Sequence, residues 1–178
     1  MFFGIKLYPA RIIFAAFTIA CMIVIFMFSC DNAKKSSSKS GKVTETAVEM
    51  FFKDYDKLPK SKQVSIMDKA EHIIRKLAHY SIYTALGFCA SMTVGKRRLK
   101  SPKNAGVIIF CFLYACSDEF HQRFTPGRSC MFTDVLIDTS GALTGMLMSL
   151  VLLAVIGWIS RRHKQNRELR AKNAGTPV

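Results

Sequence analysis

The stretch MFTDVLIDTSGALTGMLMSLVLLAVIGWIS, residues 131–160, decides the fold. It holds no Lys or Arg, and its two acids, Asp134 and Asp138, lie in its first third. A membrane-spanning helix needs about 20 predominantly apolar residues, so the run can supply one with a polar margin at one end. Asp134, Asp138, Gly141 and Gly145 recur at i, i+4, i+7 and i+11, which is one face of a helix. Gly141 and Gly145 also form a small-x-x-x-small spacing, which lets a neighbouring backbone approach closely. A face with two aspartates above two glycines is expected to point into a helix bundle.

Three further apolar runs precede it. Residues 12–28 carry no charge, and residues 77–95 carry a single imidazole, His79, near their start. Residues 105–117 are apolar and lead into Asp118, Glu119, Phe120, His121 and Gln122. The reading predicts an all-α integral membrane protein, a single domain over residues 1–178 built as a four-transmembrane-helix bundle. The spans fall at about 12–29, 77–95, 105–122 and 131–160. Composition agrees: half of the residues are hydrophobic, yet the formal net charge is +14. A soluble chain of this length would lack the core to bury so much apolar surface. The basic residues lie between the runs, so their number calls for no nucleic-acid partner. The first run has the basic start and apolar core of a signal peptide but no small-x-small cleavage site.

Lys and Arg orient the chain, because short cytoplasmic segments carry an excess of them. With both termini in the cytoplasm of a multi-pass plasma-membrane protein, the inner segments hold Lys6 and Arg11, the cluster Lys96 to Lys103, and the basic tail 161–178. Glu168 is the one acid in these pieces. The loop at 31–75 then lies outside. It opens with a Ser/Lys-rich stretch, 32–42, read as flexible. Two short amphipathic helices follow, separated by Pro59. Val48, Phe51, Phe52 and Tyr55 share one face, and Ile66, Ala70, Ile73, Ile74 and Leu77 share the other. These faces either lie on the membrane or pack on each other. Cys30 and Cys130 would both face outward and could pair if close.

The residues a bilayer should exclude carry the functional reading, since an ionisable group at helix centre costs at least about 2.5–3.5 kcal/mol. Lys76 and His79 open the second span, Asp118, Glu119 and Gln122 close the third, and Arg123 and Arg128 lie in the turn that follows. Asp134 and Asp138 open the fourth span, so three segments deliver polar groups to one level. Lys76, His79, Tyr83 and Gly87 fall on one helical face. His79, Glu119 and Asp134 are the candidate catalytic groups, suited to proton transfer. Lys76 and Arg128 would engage a phosphate or carboxylate, Asp138 belongs to the same binding set, and Gln122 and Tyr83 would orient the others. The competing reading is a structural ion pair of Arg128 with Glu119 or Asp134. His79, His121, Glu119 and Asp134 could hold a metal in principle, but no paired-ligand spacing occurs, and neither metal nor cofactor is expected. Nucleophile motifs and Gly-rich phosphate loops are absent too.

Three spaced blocks resemble the VanZ-like family of bacterial membrane proteins. They are Lys76-x-x-His79-x-x-x-Tyr83-x-x-Leu86-Gly87, then Asp118-Glu119-x-x-Gln122-x-Phe124-x-Pro126-Gly127-Arg128, and Asp134 with Gly141-x-x-x-Gly145. Asp138 departs from the pattern, where the family commonly has Asn. The resemblance implies a cell-envelope protein, and some members are linked to low-level resistance to teicoplanin and other lipid-tailed glycopeptides. The expected partners are membrane lipids or a lipid-linked envelope precursor, to be bound or modified at the outer leaflet. The alternative is a non-enzymatic scaffold or regulator of envelope proteins.

Overall fold

A computed structural model describes residues 7–30, 33–52, 55–95, 101–126 and 131–174. Among the described residues the chain is entirely helical, with five α-helices, one short 3-10 turn and no strand. They are α1 (Leu7–Cys30), α2 (Ala33–Phe51), α3 (Lys60–Val94), α4 (Pro102–Gln122) and α5 (Phe132–Ala174), with the 3-10 turn at Tyr55–Lys57.

Local chemistry sets several ends. Pro59 is extended, at φ −53° and ψ 142°, immediately before α3, as a residue lacking an N–H can be at a helix start. α3 stops at Gly95, whose φ of 81° favours a residue without Cβ. Pro102 sits in the first turn of α4, where its missing N–H has no helical partner to lose.

Among the described residues, two helices are long and apolar enough to cross a membrane, over Pro9–Cys30 and Phe132–Arg170. α3 and α4 each contain an apolar run as well, but charged or amide residues enter their ends. The surface also sorts in the manner of a membrane protein. Ile12, Phe17, Ile23 and Met27 of α1 and Leu147, Val151, Val155 and Trp158 of α5 point outward. Ser29, Ser91, Asn104, Asp118, Glu119, Gln122, Asp138 and Ser149 are buried. Large exposed apolar surface with polar groups inside suits a lipid solvent and is a liability in water.

The structure corrects or extends the sequence reading along α2, α3 and α5. The stretch 32–42 was expected to be flexible, yet α2 is already helical from Ala33. Ser and Lys are only mildly unfavourable in helices, and α2 packs on α3, with its Thr44 and Val48 buried. Phe51 from the expected apolar face is 80% exposed, so that face is not buried as a unit. The second amphipathic helix and the second span form one helix of 35 residues. The tail likewise continues α5, which runs for 43 residues, about 64 Å at 1.5 Å per residue.

The most extensive interface joins α3 to α5. The two helices run parallel, since Lys76 meets Asp134, Tyr80 meets Thr144 and Ser91 meets Ser149. Their backbones nearly touch. A Cβ added to Gly87 would lie 2.0 Å from the Ala142 carbonyl oxygen, and one on Gly145 would lie 1.9 Å from that of Thr84. Gly141 is less tight, but an added Cβ would still lie 2.6 Å from the Tyr80 carbonyl oxygen. α1 joins through its own polar ties: Arg11 Nε donates to the Thr93 carbonyl at 2.8 Å, and Tyr114 donates to that of Met22 at 2.6 Å.

Because backbone atoms stand in the way, a methyl at Gly87 or Gly145 must push the helices apart. Gly87→Ala and Gly145→Ala are each expected to cost about 1–3 kcal/mol, measured by unfolding in detergent. Gly106 has no neighbour within 4 Å of an added Cβ, so Gly106→Ala should be neutral or stabilising.

Candidate functional site

The parallel register of α3 and α5 brings the ionisable residues to one end of the bundle. Lys76 Nζ donates to Asp134 Oδ1 at 2.7 Å, with both side chains half-buried. Asp134 lies in the first turn of α5, where the positive end of the helix also favours a carboxylate. One turn deeper, His79 Nδ1 stands 3.8 Å from Asp138 Oδ2. Next along the α3 stripe comes Tyr83, fully buried, whose hydroxyl makes no hydrogen bond among the described residues.

α4 supplies the opposite wall. Asn104, Val107, Cys111, Ala115, Asp118 and Gln122 are all buried on it. Glu119, also buried, accepts the Met131 backbone N–H at 2.7 Å. This closes the connection between α4 and α5 and satisfies an N–H just ahead of a helix. Gln122 donates to Asp118 Oδ2 and to Ser29 Oγ, each at 3.1 Å.

The expectation was of three converging segments; the structure brings a fourth. Ser29, fully buried in the last turn of α1, donates to Asp118 Oδ1 at 2.5 Å, within the range of a hydroxyl bonded to a carboxylate. Thr125 Oγ1 donates to the Ser29 carbonyl at 3.2 Å. Beside this junction the aromatic side chains Phe26, Phe120 and Phe124, with Tyr114, Asp118 and His121, border a cavity of about 260 Å³. His121 stacks on Phe26 with ring centroids 5.0 Å apart, and its Nε2 lies 3.5 Å from the free thiol of Cys30.

Lys76, His79, Tyr83, Gln122, Asp134 and Asp138 thus share one end of the bundle, and Glu119 ties two helices together beside them. Arg128, expected to clamp an anion, and Cys130, expected to be able to pair with Cys30, lie outside the described residues. Ser29 and Asp118 were not among the chosen site residues. Asp118 was within reach, since Cys111, Ala115, Asp118 and Gln122 follow i, i+4, i+7 and i+11. Nothing in an apolar run ending in Ser29 points to α4.

The model of the VanZ/LLP1 family matches residues 14–154, most of the chain and all of these helical contributions. Comparison with curated proteins and with solved structures gave no match.

Removing the Ser29 hydroxyl leaves two buried partners, Asp118 and Gln122, each short of a bond. Ser29→Ala should therefore cost about 1–3 kcal/mol in detergent unfolding. The exposed Ser140, bonded back to its own helix at Ile137, is the control: Ser140→Ala should stay within about 0.5 kcal/mol.

Proposed function

Since the chain belongs to the VanZ/LLP1 family, we propose that it is a four-span plasma-membrane protein that binds a lipid-linked or amphiphilic anionic envelope molecule at the outer leaflet. In this reading α3 and α4 cross beside α1 and α5. The 19 residues 77–95 rise about 28 Å, close to the hydrocarbon thickness. The excess of Lys and Arg at the opposite end sets the polar cluster outside and both termini in the cytoplasm.

The observation that carries the reading is a polar cluster of both charge signs, beside an aromatic-walled cavity between α1 and α4. An amphiphile needs both environments at once: apolar walls for its chain and polar groups for its head. Lys76 and Arg128 meet the anionic group, Gln122, Tyr83 and Asp138 order the head, and His79 and Asp134 are positioned to move a proton if the head is modified. Glu119 holds the α4–α5 connection, so its first role is to shape the site. A link to glycopeptide sensitivity follows if the bound molecule is the antibiotic or the precursor it targets.

A scaffold that regulates envelope proteins is the second reading, favoured by Glu119 and the Lys76–Asp134 pair acting as internal ties. The two readings separate in a strain whose envelope-lipid profile and teicoplanin sensitivity change on deletion. The site reading expects His79→Ala and Arg128→Ala to reproduce the deletion phenotype at normal protein abundance. Glu119→Gln keeps an acceptor for the Met131 N–H and should retain abundance while altering the profile. Loss of effect that merely tracks loss of abundance supports the scaffold, and an unchanged profile in all three variants sinks the site.

A further inference from the structure

His79 on α3, Asp118 on α4 and Asp138 on α5 each bring one donor atom into a common space, all within 4.8 Å of one another. Asp118 and Asp138 are 5% and 4% exposed. The 3.8 Å between His79 Nδ1 and Asp138 Oδ2 is too long for a hydrogen bond. It is close to another distance: two donors about 2.0–2.1 Å from a tetrahedral Zn²⁺ stand about 3.4 Å apart. A closure of a few tenths of an ångström would bring both onto one ion.

A second observation points to the same space. Buried hydroxyls normally find a partner, yet the fully buried Tyr83 hydroxyl makes no hydrogen bond among the described residues. Tyr83 follows His79 by one turn on the α3 stripe, and its ring packs against Tyr114 of α4 with centroids 6.4 Å apart. The surroundings match as well. Asp118 is held from behind by Ser29 and Gln122, and outer hydrogen bonds of this kind orient metal-ligating carboxylates.

We propose that His79, Asp118 and Asp138 form a binding site for one divalent cation of the Zn²⁺ or Mn²⁺ class, bordered by the Tyr83 hydroxyl. One imidazole nitrogen with two carboxylates suits such ions, whereas Ca²⁺ and Mg²⁺ favour oxygen-only surroundings. Three protein ligands leave a coordination position open, as in sites where a metal meets a substrate or water. The donor set differs from the His79, His121, Glu119 and Asp134 set conceivable from sequence, because His121 faces α1 and Glu119 bonds to Met131. The inference rests on this geometry and not on the amphiphile reading. Where both hold, the cation is what lets an anionic headgroup approach an acidic cluster.

The test uses the full-length chain in detergent, stripped with chelator, loaded with Zn²⁺ or Mn²⁺, desalted and assayed for metal by mass spectrometry and titration calorimetry. The expected result is about one ion per chain. Affinity should fall about tenfold or more in His79→Gln, Asp138→Asn and Tyr83→Phe and stay unchanged in Ser140→Ala. Unfolding of the metal-free proteins separates loss of the site from loss of the fold. If a variant does not fold, visible bands of Co²⁺ bound to the wild type report a nitrogen and oxygen ligand set directly. The proposal is overturned if the wild type binds neither ion above a detergent blank, or if His79→Gln and Asp138→Asn bind as the wild type does. Metal content is read independently of lipid profile, so this inference and the amphiphile reading can fail separately.

Discussion

Everything at the polar end depends on how closely α3 and α5 approach. Gly87 faces the Ala142 carbonyl, and Gly141 and Gly145 face those of Tyr80 and Thr84, with no room for a side chain between. In lipid, helices gain little from hiding apolar surface from one another, so close van der Waals contact and interhelical hydrogen bonds must hold them. That contact fixes the parallel register. Lys76 then falls opposite Asp134, His79 opposite Asp138, and Ser91 opposite Ser149.

α1 and α4 add to this core through Ile25, Val107, Cys111 and Ala115, and α1 is also held by polar ties. α1 is fastened at one end by Arg11 to the last turn of α3, where orphan carbonyls accept. At the other end it is fastened by Ser29 to Asp118. A soluble bundle would place such groups outside; here they share the interior with Ile25, Leu86 and Val107, while many Ile, Phe and Leu side chains face outward. Among the buried polar groups, the hydrogen-bonded Ser29, Asp118, Glu119 and Gln122 each constrain a neighbour and help hold the bundle together.

Much of this was legible in the residues. The stripes Lys76–His79–Tyr83–Gly87 and Asp134–Asp138–Gly141–Gly145 do face each other, because ionisable groups and glycines in an apolar run have few reasons to be there except contact with protein. The helical state of the Ser/Lys stretch was not legible. Its propensity is weak, and its packing on α3, with Thr44 and Val48 buried, is a tertiary effect. The continuity of α3 past residue 77 was hidden for a related reason: amphipathic and apolar segments look like separate elements when no breaker marks the join.

By itself the sequence determined a helical chain with membrane-length apolar segments, the family blocks, and the convergence of charged residues near one level. Periodicity and charge exclusion are local properties, and they act whatever the neighbours are. Only the tertiary structure decided which carboxylate meets which partner. It drew Ser29 into the site across 89 residues of chain, turned Glu119 to the Met131 backbone, and set His79, Asp118 and Asp138 around one space. Such pairings depend on the depth and rotation of whole helices, and these are set where backbones touch at Gly87, Gly141 and Gly145.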